Sequence, residues 1–326
     1  MKTAVTGAAG FIGTNLVNLL VENGHDVVAI DRAVPSAPET RDAVTWVSGD
    51  VLDLTSMTKA LEGVEVVYHL VAVITLKHED QLCWRINTEG ARTVAQAALS
   101  VGVRRMVHCS SIDSYSNSVA TLDETSPRST GADLPVYQRS KWGGEVAVRE
   151  VIESGLDAVI GNPTGVYGPV DLAAPAPLSR INQLLFDSAR GRLPAMVASQ
   201  YDLVDARDVA LGLYLAGEKG RTGENYLLGG HMGSLLHVCR LAAQHVGKRG
   251  PLFALPMGLL NAAIPVIEPI GKLLKNDALS RAAFNKLTVS PTANITKART
   301  ELGYDPRSTE TTVNEFVDFL VSSGRL

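Results

Sequence analysis

The N-terminal stretch Lys2 to Gly13 leaves this chain few folds to choose from. Thr3 to Thr6 is a short apolar run of the kind a buried parallel strand makes. Gly7, Gly10 and Gly13 then lead, at a spacing of three, into the helical pattern Phe11, Ile12, Leu16, Leu19 and Leu20. Strand, tight turn and helix N-terminus follow one another directly. Such a turn leaves backbone N–H groups at the positive end of a helix dipole, where a pyrophosphate is stabilised if no side chain blocks its approach. Glycine removes that obstruction. The spacing is GxxGxxG, one residue longer in its first gap than the GxGxxG dinucleotide fingerprint, so these residues alone also suit a strand-to-helix turn with no ligand.

The rhythm that begins here continues. Strands are expected at His25–Asp31, Ala43–Ser48, Glu65–Leu70, Arg105–Cys109 and Asp157–Gly161, with helices at Thr55–Leu61, Gln81–Val101 and about Val136–Ser154 between them. Near-continuous apolar strands alternating with helices predict an α/β fold, a doubly wound parallel (Rossmann) sheet. Beyond Tyr167-Gly168-Pro169 the rhythm breaks in the proline- and alanine-rich stretch Asp171 to Pro177, and a helix follows over Leu178–Ala189. Tyr201–Val204 and Asn225–Leu228 read as strands returning to the first sheet, with Asp208–Ala216 helical between them. Residues 1–170 and about 200–230 are therefore expected to form a dinucleotide-binding domain. Residues from about 171 to 199 and 231 to 326 are expected to form a smaller, mostly helical substrate-binding part. With 326 residues, of which 45% are hydrophobic, the chain can bury a substantial core.

Charge and cysteine usage remove other classes of partner. Thirty Lys and Arg against 34 Asp and Glu, a formal net charge of −4, give no electrostatic footprint for nucleic acid. Cys83, Cys109 and Cys239 are far apart and lack CxxC spacing, so they read as packing residues of a reducing cytosol rather than a disulfide framework or zinc site. A first strand starting at Lys2 leaves no room for a signal peptide, and a cytoplasmic location is expected. Pro251 to Ile267 is uncharged, apolar and close to the minimum length of a membrane span. Pro256 and Pro265 interrupt it and Glu268-Pro269 closes it, so it reads as a lid or packing helix, with membrane association the weaker alternative.

Among the tyrosines only Tyr137 has a lysine four residues later, Lys141. On a helix the two side chains share a face, and an ammonium beside a phenol lowers its pKa towards neutrality, which suits proton transfer. The pair follows a strand tipped by Ser110-Ser111, and strand ends face the ligand crevice in an open parallel sheet. Ser111 would hold a substrate carbonyl oxygen near the phenol. Asp31, at the end of the second strand, can accept hydrogen bonds from both hydroxyls of an adenosine ribose, which predicts NAD; Arg32 beside it leaves NADP open. His69 and His108 lie on strands away from other ligand-type residues and read as core histidines, so no metal is expected. Asp123 and Glu124 read as solvated loop acids.

Together these residues resemble the extended short-chain dehydrogenase/reductase family, also called the NAD-dependent epimerase/dehydratase family. The resemblance is carried by Thr6-Gly7-Ala8-Ala9-Gly10-Phe11-Ile12-Gly13, Gly49-Asp50-Val51, His69-Leu70-Val71-Ala72, Asn87-Thr88-Glu89-Gly90, Ser110-Ser111, Tyr137 with Lys141, Pro163 to Pro169 and Asp205 to Ala210. Glu224 to Gly230 and Lys297 to Pro306 are similar to it as well. The resemblance implies hydride transfer at a nicotinamide, with Tyr137 as acid/base, Lys141 tuning it and holding the ribose, and Ser111 orienting the substrate oxygen. It implies Gly7, Gly10, Phe11, Ile12 and Gly13 at the cofactor phosphates, Asp50 and Val51 at the adenine, and Leu70, Val71 and Ala72 along the cofactor. Pro163, Thr164 and Val166 would lie by the nicotinamide, and Val73, Ile112, Asp113 and Gly165 by the substrate. It also implies a homodimer formed through the helices at 81–101 and 136–154.

Departures from the family pattern narrow the reaction. Sugar-nucleotide members usually carry an Asn at the position of Gly165, and the dehydratases an Asp-Glu pair where this chain has Ile112-Asp113. Ser110 to Asp113 and the apolar Pro251–Ile267 resemble the hydroxysteroid dehydrogenase and dihydroflavonol reductase-like branch instead. The arginine usual two positions before Thr164 is Asn162 here, a departure from both branches. The expected activity is an NAD(P)-dependent alcohol/ketone oxidoreductase acting on a small, largely apolar molecule. The alternatives are a sugar-nucleotide epimerase or dehydratase with tightly bound NAD, and a non-catalytic NAD(P)-binding sensor.

Overall fold

The structure, a computed structural model, describes residues 1–34, 42–169, 178–256 and 290–326. The stretch Asp171–Pro177 and the part of the apolar segment beyond Pro256 lie outside the described residues.

Period-two alternation along the strands builds the central layer. In β1 (Lys2–Thr6), Ala4 packs on one side of the sheet and Val5 on the other; in β2 (Asp26–Asp31), Val28 and Ile30 oppose Val27 and Ala29; in β4 (Val66–His69), Val67 opposes Val66 and Tyr68. Both faces are apolar, so both must be covered, which is the condition that selects a parallel sheet with helices on each side. On one face Leu16 and Leu20 of α1 (Phe11–Glu22) meet Val209 and Leu213 of α6 (Ala206–Lys219). The other face is covered by Met57 of α2 (Leu54–Ala60), Ile86 and Val94 of α3 (Gln81–Ser100), and Val148 and Val151 of α4 (Val136–Glu153). With β3 (Val44–Ser48), β5 (Arg105–Cys109), β7 (Ala158–Pro163) and β11 (Asn225–Leu228), the strand order is β11-β7-β5-β4-β1-β2-β3, and every pairing is parallel. The doubly wound expectation holds. The order reverses direction at β1, so a crevice opens beyond the carboxyl ends of β1 and β4.

One expected strand goes elsewhere. Asn225–Leu228 joins the main sheet as β11, but Tyr201–Val204, within β10 (Gln200–Asp205), does not. It pairs in parallel with β8 (Gly165–Tyr167) and antiparallel with β12 (His231–Ser234), making a separate three-stranded sheet. The cause is a break at Thr164, where the chain leaves β7 and restarts as β8, giving β10 a new edge to pair with. The region after residue 231 also holds more strand than its helical reading implies. Besides β12, β13 (Phe253–Leu255) pairs with β9 (Ala195–Val197), and β14 (Thr292–Ala293) with β6 (Thr121–Leu122) inside the long loop before α4. A third apolar core joins Leu185 of α5 (Arg180–Ala189), Val238 of α7 (Leu235–His245) and Phe316 of α8 (Thr309–Ser322) to Leu203 and Tyr167. Cys83, Cys109 and Cys239 are all buried and unbridged.

Candidate active site

The glycine turn has the geometry of a cradle. Gly7 adopts φ +75°, in the left-handed region open to glycine, and its N–H donates to the Ile30 carbonyl at 2.8 Å, tying the turn to β2. At Gly13 an added Cβ would lie 2.1 Å from the Gly7 carbonyl oxygen, so only a bare backbone lets α1 start this close to β1. Gly10 is the N-cap of α1 and offers no capping side chain. The turn forms one wall of a cleft of about 270 Å³ at the switch point, with Gly7 and Gly10 facing Leu70, Val71, Ala72 and Val73. Asp31, Arg32, Asp50 and Val51 line its far end. The Asp31 carboxylate accepts from the Ala9 N–H at 3.2 Å, while Arg32 is exposed. A narrow cleft with a cradle that any Cβ would fill, an uncapped helix N-terminus at one side and a carboxylate at the end of β2 fits a dinucleotide. Phe11 and Ile12 are half-buried on α1, and Gly13 is buried beneath them. Pro163, Thr164 and Val166 are not among the residues lining this cleft, and the Thr164 hydroxyl donates to Asp202 at 3.0 Å.

Beyond the cleft, at the end of β5, the structure gathers the residues expected to carry acid–base chemistry. The Tyr137 phenol is hydrogen-bonded to the Ser111 hydroxyl, and both residues are buried, at 7% and 8% exposure. The Ser111 hydroxyl also accepts from the Asp113 N–H at 3.1 Å, and the Asp113 carboxylate accepts from Gln138 Nε2 at 3.2 Å. One helical turn along α4, Lys141 sends its Nζ to the Cys109 carbonyl at 2.9 Å. Its ammonium thus lies under β5, inside the protein, with 2% exposure.

Comparison with known proteins places the fold and the glycine turn in a family. The chain is 31% identical over 335 residues, spanning all of both chains, to sterol demethylase protein B of Methylococcus capsulatus. It is 30% identical to a putative dihydroflavonol 4-reductase of Synechocystis, covering 82% of this chain and 80% of that one. The crystal structure of gox2253 superimposes with a TM-score of 0.83 at 30% identity, covering 99% of each chain. The model of the NAD-dependent epimerase/dehydratase family matches residues 3–229. The chain belongs to that family. Membership makes it an NAD-dependent enzyme of the dehydrogenase and epimerase kind.

In this epimerase/dehydratase family member the electrostatics of the pair differ from the simple reading of a lysine beside a tyrosine. Burial pushes the Tyr137 phenol above its ordinary pKa, the Asp113 charge raises it further, and the Ser111 hydrogen bond opposes both only in part. Desolvation therefore outweighs any help from the ammonium, and Tyr137 holds its proton at neutral pH. Burial also lowers the Lys141 pKa, with nearby thiols and carboxylates, Cys109 first, opposing the shift. His69 and His108 stack behind this group with ring centroids 5.4 Å apart. Burial holds His69 down at about 3 and His108 well below its ordinary range, so both are neutral core residues. Among the described residues no group of three His, Cys, Asp or Glu could hold a metal ion. Asp123 caps its own turn through Thr125 and Ser126, and Glu124 accepts from the Leu227 N–H at 3.0 Å; both are half-buried rather than solvated.

The structure also brings in residues whose role the sequence reading did not assign. Asn87 of α3 accepts from the Val73 N–H at 2.8 Å and donates to the Val73 carbonyl at 3.0 Å and to Ser140 at 2.9 Å. Ser140 in turn donates to the Tyr137 carbonyl at 2.9 Å. One amide therefore joins the cleft wall to the helix that carries the phenol, and its sequence signal was the Asn87-Thr88-Glu89-Gly90 motif.

Proposed function

We propose that this protein interconverts a ketone and an alcohol on a small, largely apolar substrate with NAD(H), using Ser111, Tyr137 and Lys141. The observation that carries the reading is the buried, protonated Tyr137 phenol hydrogen-bonded to the Ser111 hydroxyl at the carboxyl edge of the sheet. NADH, when bound along the cleft, supplies the hydride to the carbonyl carbon. Ser111 holds the carbonyl oxygen, Tyr137 gives it the proton, and the buried Lys141 charge favours the phenolate left behind. The oxidation runs through the same groups in reverse. Asp31 favours NAD, because a carboxylate there accepts from a ribose diol and repels a 2′-phosphate.

The apolar substrate class rests on the surroundings of Gly165. Gly165 itself offers no amide side chain to a diphosphate, and the atoms nearest to where a Cβ would stand are the Asp202 carbonyl oxygen at 3.0 Å and the Leu203 and Ile181 side chains at 3.1 and 3.6 Å. The sterol in the relative's name points in the same direction. The reading includes a homodimer through α3 and α4, whose exposed side bears a groove walled by Trp84, Trp142 and Val146.

The test is a substrate panel. NADH oxidation by progesterone or cholestanone, followed by absorbance, supports the reading. Thermal stabilisation by UDP-glucose, with NAD that survives purification and no steroid turnover, would move the assignment to a sugar-nucleotide epimerase.

A further inference from the structure

Glu145 lies one turn beyond Lys141 on α4, and its carboxylate has no exposed surface. Four donors satisfy it. Ser110 Oγ and Asn162 Nδ2 donate to Oε1 at 2.6 and 2.7 Å; Asn225 Nδ2 and Arg128 Nη1 donate to Oε2 at 2.9 and 3.0 Å. Among the described residues Arg128 alone forms an ion pair with it. Strand β7, which could have carried a cation, presents the neutral Asn162 instead. Burying a carboxylate is strongly unfavourable unless it is paired and hydrogen-bonded, so the Arg128 ion pair and the three neutral donors together hold this cluster in place.

The cluster grips both sides of one catalytic residue. Ser110, which donates to Glu145, immediately precedes Ser111. Asn162 Nδ2, while donating to Glu145, also reaches the Ser111 carbonyl at 3.1 Å and Ser114 Oγ at 3.2 Å. Arg128 itself comes from the loop between β5 and α4. Its guanidinium sits 3.8 Å from the centre of the Tyr115 ring and 4.8 Å from that of Trp142, which fixes where its charge falls.

We propose that Arg128 is a positioning residue: by pairing with Glu145 it sets the Ser110–Ser111 peptide so that the Ser111 hydroxyl meets the Tyr137 phenol. The inference rests on the reading of Ser111 and Tyr137 given above, and it acts through Glu145 rather than by touching substrate.

The test uses the full chain with NADH and progesterone, in Arg128→Met, Arg128→Lys and Arg128→Met/Glu145→Gln. Arg128→Met should lower kcat by about tenfold to a hundredfold, the scale of a small misplacement of a reacting group, with KM and the NADH dissociation constant within about twofold of the parent. Arg128→Lys, which keeps the charge, should recover most of kcat. The double variant removes the stranded charge and should turn over faster than Arg128→Met alone, which also serves if the single variant does not fold. A crystal structure of Arg128→Met, or of the double variant in that event, should show the Ser111 hydroxyl no longer bonded to Tyr137. An intact Ser111–Tyr137 bond in that crystal, a kcat within twofold of the parent, or a loss of NADH affinity matching the loss of rate overturns the proposal. If the parent does not turn progesterone over at all, the functional reading fails, and the crystal structure still decides this one.

Discussion

Tyr137 is bonded to Ser111 through its phenol and has almost none of its surface in contact with water. Its proton is therefore retained at neutral pH and, in the proposed mechanism, passes to an oxygen atom held by Ser111. Replacing Tyr137 with Phe removes that proton and little else, so turnover should fall about 10²- to 10⁴-fold while NADH fluorescence titration gives an unchanged affinity. A loss of NADH binding of the same size would mean the phenol shapes the cofactor site rather than the chemistry. At this scale the sequence carried residue identity but not environment. Tyr137 and Lys141 at a spacing of four were legible; that burial would raise the phenol's pKa, and that Lys141 would direct its ammonium to the Cys109 carbonyl, depends on the depth of α4 against β5.

Among the elements, the strand–turn–helix unit at the N-terminus tolerates least. A Cβ at Gly13 would come within 2.1 Å of the Gly7 carbonyl and 2.9 Å of Ala8 Cα, both backbone atoms with no rotamer to give way. Gly13→Ala should therefore cost about 1–3 kcal/mol or more in urea unfolding and weaken NADH binding together with it, because the same shift opens the cradle. A variant as stable and as tight-binding as the parent would contradict the close approach. This unit was readable because its signals are local: apolar run, glycine spacing and helical period all fall between Lys2 and Leu20. The pairing of β10 with β8 and the meeting of Arg128 with Glu145 were not, since neither leaves a periodic trace. The first depends on a break at Thr164 and the second on a loop folding back 17 residues to a helix.

Taken whole, the molecule encloses titratable groups that the unfolded chain exposes, and this gives its stability a pH dependence. His69 takes up a proton near pH 6.5 when unfolded but only at about 3 when folded. The unfolded state therefore binds protons first on acidification. Stability is complete above about pH 6.5 and falls as the pH drops towards 3, by up to about 5 kcal/mol from this residue. Urea unfolding across that range should show the decline, and His69→Gln should flatten it; an identical slope in both proteins would remove His69 as the cause. The crevice beyond β1 and β4 opens between the apolar layers, with the glycine cradle at one end and the Ser111–Tyr137 pair beyond it. In the proposed reaction hydride crosses there to a ketone carbon. Incubating the enzyme and progesterone with NADH deuterated at the transferring position tests it directly. Mass spectrometry should find one deuterium in the alcohol product with the parent and almost none with Tyr137→Phe; no deuterated alcohol from the parent with this or any other lipophilic ketone would contradict the account.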